Sequence, residues 1–186
     1  CVYLVLNAVN LVWAVFMPQR QLKDTMASVF AMFYPGWCML TMVIINARGR
    51  ELADIGMTLV LLIPCANDIF AYLFGKFLGK TPLAPKISPK KTIEGSIGGI
   101  LGSVIFCAVF GYFVIPRLLA HCIVLGALGG ILSQFGDLTA SIFKRKMGIK
   151  DYGNLIPGHG GILDRFDSVL FTAPMVYYYI IFIIGQ

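Results

Sequence analysis

Residues 55–78 read IGMTLVLLIPCANDIFAYLFGKFL, and this stretch decides the fold. Its twenty-four residues carry only two charges, Asp68 and Lys76. As a helix it would rise about 36 Å, enough to cross the ~30 Å hydrocarbon core of a bilayer. An acid inside such a segment costs about 2.5–3.5 kcal/mol on insertion scales, so Asp68 marks a functional site by default.

Five further segments of the same kind flank it: Cys1–Met17, Met26–Ala47, Ser96–Ile115, Leu118–Phe143 and Ser168–Gly185. The whole chain is 58% hydrophobic and 13% charged, with a mean hydropathy of +0.82. That charged fraction is about half that of a soluble domain. The expected fold is therefore all-α, a polytopic transmembrane helical bundle with six spans. Residues 1–54 form an N-terminal part of two spans. Residues 55–186 form a catalytic part of four, with loops at 79–95 and 144–167. The chain enters an apolar segment directly at Cys1, without a basic leader or a small-residue cleavage site. It therefore reads as a fragment or processed product, with further spans expected N-terminal to it.

Gly pairs four apart, Gly75/Gly79, Gly95/Gly99, Gly98/Gly102 and Gly126/Gly130, suit close helix packing in lipid. Pro35 and Pro64 fall inside spans. The five cysteines lack any paired spacing and read as small buried hydrophobes. Tyr177, Tyr178 and Tyr179 read as an interfacial belt or helix packing.

Charge is unevenly placed. The first, third and fifth connections hold Arg20, Lys23, Lys76, Lys80, Lys86, Lys90, Lys91, Lys144, Arg145, Lys146, Lys150 and Arg165, against Arg48, Arg50 and Arg117 in the second and fourth. By the positive-inside rule the odd connections face the cytoplasm. Topology and anionic headgroups explain the sign of this face. They do not explain the acids set among the bases.

Asp137 lies in the fifth span, with Ser141 four residues on and Lys144 and Arg145 a turn beyond. Asp164 and Asp167 stand three apart on one face at the start of the last span. Three carboxylates converging near one membrane surface repel one another, so a cation is expected between them. Hard oxygen donors suit Mg²⁺, which takes one or two carboxylates, water and substrate phosphates. No His/Cys set has zinc spacing: His121 is alone near the opposite face and His159 stands among Gly158, Gly160 and Gly161. His159 would either donate to a phosphate or act as a general acid. The basic run Lys86–Gly95 places Ser88, Lys90, Lys91 and Thr92 before a helix start, a phosphate-suited arrangement without the P-loop pattern. Carboxylates among so many bases fit metal-assisted phosphoryl or nucleotidyl transfer.

The run Ser141-Ile142-Phe143-Lys144-Arg145, then Lys150-Asp151, then Leu155 through Asp167 (LIPGHGGILDRFD) closely resembles the signature of phosphatidate cytidylyltransferases. Asn67-Asp68 with Ala71-Tyr72 and Gly75, and KISPKKTIEG at Lys86–Gly95, resemble further blocks of that family in the same order. The resemblance runs from about residue 60 to 186, and its one departure is Ile93, where many members carry an aromatic. It implies transfer of a cytidylyl group from CTP to phosphatidic acid, giving CDP-diacylglycerol and pyrophosphate, with Mg²⁺ and a monovalent cation such as K⁺. It implies metal binding by Asp137 and Asp164, with Asp167 either completing the cluster or orienting substrate. Ser141, Lys144, Arg145 and His159 would hold phosphates, and Lys90 and Lys91 the triphosphate. Asp68 would line the polar cavity, and Ser88, Lys150, Asp151 and Arg165 would complete the substrate-binding set. A homodimer in a bacterial inner membrane, with the active site facing the cytoplasm and no nucleic-acid partner, is the expected setting. Two rival classes remain on sequence grounds: a CTP-dependent kinase of a polyprenol or phytol, and an ion-coupled carrier.

Overall fold

The computed structural model describes residues 2–16, 22–47, 50–153, 161 and 163–184. Helix α1 spans Val2–Val15, α2 Leu22–Asn46 and α3 Arg50–Leu78. A hairpin of β1 (Pro82–Ala84) and β2 (Ser88–Thr92) leads into α4 (Ile93–Val114). A 3₁₀ turn over Pro116–Leu118 precedes α5 (Leu119–Lys146). The short α6 (Leu163–Phe166) leads to α7 (Val169–Tyr179), which widens into a π-helical turn over Ile180–Ile184.

The all-helical expectation holds, with the hairpin as its one addition. Among the described residues four helical segments are long and apolar enough to cross a membrane: Asp24–Asn46, Leu52–Leu78, Ile93–Val114 and Pro116–Lys146. The first and last of the six expected spans are shorter apolar helices, Val5–Ala14 and Val169–Ile184. The boundary drawn after residue 54 falls within α3, which runs through it. Pro35 and Pro64 are both accommodated inside continuous helices.

Helix α4 shows why the surroundings are lipid. Ile97, Leu101, Ile105 and Val109, at i+4 spacing, are each half or more exposed, so its outward stripe is as apolar as a core. Its opposite side is glycine. A Cβ on Gly98 would fall 2.3 Å from the Phe74 ring, one on Gly102 2.4 Å from the Phe70 ring, and one on Gly99 2.7 Å from Asn67 Oδ1. Gly126 and Gly130 of α5 likewise lie against the α4 backbone at Val104 and Ile100. The anticipated Gly pairs thus bring α3, α4 and α5 together, where lipid offers no hydrophobic drive and packing must do so. The core behind them is Leu59, Val60 and Ile63 of α3, Leu125 of α5 and Val169, Ala173 and Val176 of α7. Cys38, Cys107 and Cys122 are buried free thiols and Cys65 is an exposed one.

The segment expected as a loop between α3 and α4 is an antiparallel pair, with Pro82 opposite Thr92 and Ala84 opposite Ser88. Its prolines and lysines read as irregular, but the helices it joins fix its ends. Gly75 of α3 would touch Gly95 Cα of α4. Ile93 N donates to Thr81 O at 2.9 Å. Glu94 accepts from the backbone N–H groups of Lys80 and Thr81 at 3.1 and 3.2 Å. Thr92 caps α4 by accepting from Gly95 N. With both ends tied, the chain can only double back.

Candidate active site

The C-terminal ends of α3 and α5, the N-terminal ends of α4 and α7 and the hairpin meet at one edge of the bundle. A cavity of about 350 Å³ opens there, lined by Asn67, Asp68, Ala71 and Tyr72 of α3, Ser88, Lys90, Lys91 and Thr92 of β2, Gly95 and Ser96 of α4, Gln134 and Asp137 of α5, and Leu83 of β1. Lys91 Nζ forms an ion pair with Asp137 Oδ2, and Ser141 Oγ donates to Asp137 Oδ1 at 3.4 Å, as their four-residue spacing anticipates.

The cavity floor is an amide network. Gln134 Nε2 donates to Asn67 Oδ1 at 2.9 Å and to Ser96 O at 2.8 Å, while Gln134 Oε1 accepts from Ser96 Oγ. Asn67, itself only 2% exposed, donates to Asp68 Oδ1 at 3.4 Å. Every polar group on the half-buried Gln134 is therefore engaged.

A second acid cluster adjoins the first. Lys144, at the last turn of α5, donates to Asp164 Oδ1 at 2.8 Å and lies 3.8 Å from Asp167 Oδ2. Asp164 Oδ2 also accepts from Tyr152 N at 2.8 Å and Gly161 N at 2.9 Å, which ties these two backbone positions to the acid. Burial works to raise the Asp164 pKa, but the Lys144 hydrogen bond and these two backbone donors outweigh it and hold the carboxyl below its usual range. Asp167 goes the other way. Burial, reinforced by the Asp137 charge, pushes it up to about 6, against which Lys144 and the Ser168 N–H pull only partly. Gly136 makes this proximity possible: a Cβ there would stand 2.6 Å from Asp167 O, so α5 and the start of α7 meet backbone to backbone beside Asp137.

The structure thus gathers Asp68, Asp137, Ser141, Lys91, Lys144, Asp164 and Asp167 into one region, with Ser88 and Lys90 on the cavity wall. Arg145 points elsewhere. Its Nε donates to Ile87 O at 3.4 Å and its Nη1 to Ile149 O at 3.3 Å, so it ties the hairpin to the end of α5. Lys150, Asp151 and Arg165 are exposed. His159 lies outside the described residues. Sequence reading passed over Gln134, Ser96 and Tyr152. Gln134 had a signal, a polar residue one turn before Asp137 on the same face of an apolar span.

The residues present fit a divalent cation. Among the described residues no group of three or more His, Cys, Asp or Glu stands close enough to form an all-protein cage. Mg²⁺ needs no such cage, since one or two carboxylates with water and phosphate suffice. Asp167 is a buried acid with too little positive charge beside it, and Asp137 is its neighbour. Asp164 is already engaged by three donors.

Fold and site define a polytopic helical membrane protein with an acid–lysine centre at one edge of the bundle. The family model described as "Cytidylyltransferase family" matches residues 1–183, and the chain belongs to this family. It is 50% identical over 121 residues to a phosphatidate cytidylyltransferase of Synechocystis sp., covering 64% of this chain and 41% of that one. It is 37% identical over 157 residues to the enzyme of the same name from Aquifex aeolicus, covering 84% and 58%. An uncharacterized Escherichia coli protein, YnbB, is 39% identical over 153 residues, covering 82% and 50%. The chain spans about half the length of the curated relatives it matches.

Proposed function

We propose that the protein transfers a cytidylyl group from CTP to phosphatidic acid, forming CDP-diacylglycerol and pyrophosphate in phospholipid biosynthesis. The observation that carries this reading is the pairing of lysines with carboxylates around a cavity at one edge of the helix bundle, which in this reading lies at the level of a lipid phosphate. Family membership and the names of the Synechocystis and Aquifex relatives support the same substrates.

In this reading Ser88, Lys90 and Lys91 hold the triphosphate, while Ser141 and Lys144 hold the lipid phosphate. Arg145 holds the hairpin that carries Ser88, Lys90 and Lys91, Lys150, Asp151 and Arg165 line the approach, and His159 is assigned to a phosphate or leaving group. The phosphatidate oxygen attacks the α-phosphorus in line, the new P–O bond forming as the bond to the bridging oxygen breaks and pyrophosphate departs. An ionised phosphate is already a competent attacker, so no protein nucleophile is needed. The chain's contribution is position and charge neutralisation. Asp137 and Asp167, with Asp164 beside them, would hold Mg²⁺, which when bound supplies Lewis-acid neutralisation of the phosphates. K⁺ is assigned as a second cation. The setting proposed is a homodimer in a bacterial inner membrane, with the centre facing the cytoplasm.

Incubation of the purified protein with labelled CTP, phosphatidic acid and Mg²⁺ should yield labelled CDP-lipid, and EDTA should abolish it. Asp164→Asn should stay folded but lose at least about 100-fold in turnover. Release of CDP together with a lipid phosphate would instead identify a kinase.

A further inference from the structure

Asp68 is the acid that the two lysine pairs leave over. Lys91 is paired with Asp137, and Lys144 with Asp164 and Asp167. Asp68 opens into the cavity, and its hydrogen bond among the described residues is the one from Asn67 Nδ2 to Oδ1. Asn67 is fixed in turn by Gln134, and Gln134 by Ser96, so the carboxylate is anchored on one oxygen by a relay of amides. An ionised carboxylate is acceptor-only. Whatever faces it must bring an N–H or a cation. A phosphate is repelled from this point and directed to the rim, where Ser88, Lys90 and Lys91 stand. Tyr72, one helical turn from Asp68 on the same side of α3, lines the cavity wall between the acid and the hairpin end of the helix.

Resting on the cytidylyl-transfer reading, we propose that Asp68 reads the nucleobase, accepting a hydrogen bond from the exocyclic 4-amino group of cytosine while the Tyr72 ring lies against the base. The phosphates then extend toward Ser88, Lys90 and Lys91. Uracil carries an acceptor oxygen where cytosine carries the amine, as thymine does, so it would set oxygen against carboxylate. Selectivity for CTP over UTP arises from this clash as much as from the bond gained.

The test is equilibrium binding of CTP, UTP and the triphosphate of the 2-pyrimidinone riboside, which lacks the 4-amino group, to purified protein in detergent without phosphatidic acid. The same three nucleotides are then compared by kcat/KM. The intact protein should bind CTP at least about tenfold more tightly than either analogue. Asp68→Asn, which offers an amide donor, should bring the three affinities within about twofold. Asp68→Glu should keep the CTP preference in direction. Should Asp68→Asn fail to fold, Asn67→Ser, which frees the anchored oxygen, should lower the CTP:UTP ratio severalfold. An unchanged ratio in the folded variant overturns the assignment. Equal binding of CTP and UTP by the intact protein overturns it too, while leaving CDP-lipid synthesis standing. Failure of the intact protein to form CDP-lipid overturns the reading beneath it, and the assignment with it.

Discussion

Asp167 and Asp164 sit three residues apart and respond to protons in opposite senses. Asp167 is raised to about 6 by burial and by Asp137, against about 3.9 for an unfolded aspartate. Its contribution to stability is full below the unfolded value and is lost as pH rises through about 6, because the folded state then holds the ionised form in a poor place. In Mg²⁺-free buffer the thermal midpoint should fall between about pH 4 and 6, and Asp167→Asn should flatten that slope. A slope unaltered by the substitution would place its origin in another group. Asp164, held low by Lys144 and two backbone N–H groups, contributes stability that is lost only as the solution becomes acid enough to protonate it. The acids were legible from sequence because a charge in an apolar segment carries a visible cost. Ser96 was not, because a neutral polar residue barely alters hydropathy, and Gln134 offered only its place one turn before Asp137; their meaning lies in contacts across the bundle, Ser96 with Gln134 and Gln134 with Asn67. Arg145 has a contact that its place beside Lys144 did not suggest: its side chain reaches the hairpin carbonyl of Ile87.

At the scale of elements, glycine spacing foretold which helices touch, while the polarity of residues 79–92 concealed their shape. Composition alone reads three prolines and five lysines between Lys76 and Lys91 as loop. The antiparallel pairing follows from tertiary closure at Gly75 and Gly95, which local propensity cannot report. Gly136 was passed over among the glycine pairs, yet it governs the meeting of the two acid clusters. Gly136→Ala should force α5 away from Asp167 O, because the clash is with backbone rather than with a side chain that can turn aside. The expected cost is about 1–3 kcal/mol of overpacking strain, together with a loss of turnover larger than that of an equally destabilised variant remote from the centre. Parallel measurement of thermal midpoint and CDP-lipid formation separates the two effects. Wild-type activity in Gly136→Ala would show that the helix contact is slack.

For the whole molecule, Lys90 and Lys91 of the hairpin and Lys144 and Arg145 of α5 come together at one edge, and Arg117 lies in the connection at the far end of α4. Lys86→Cys and Lys150→Cys should react with a membrane-impermeant thiol reagent from one side of the bilayer only, and Arg117→Cys from the other. Labelling of Arg117→Cys from the Lys86 side would break the topology. The lysine pairs at that edge also govern how quickly visitors come and go. Asp137 and Asp164 already have a resident ammonium, so a polyanion arriving at Lys91 or Lys144 gains only the difference between its own attraction and the ion pair it opens. When it departs, the lysine still has a carboxylate to return to. Such a centre favours brief occupancy: a spent polyphosphate is not left as the sole neutraliser of the charges around it, and the next nucleotide meets a site that has already reset itself.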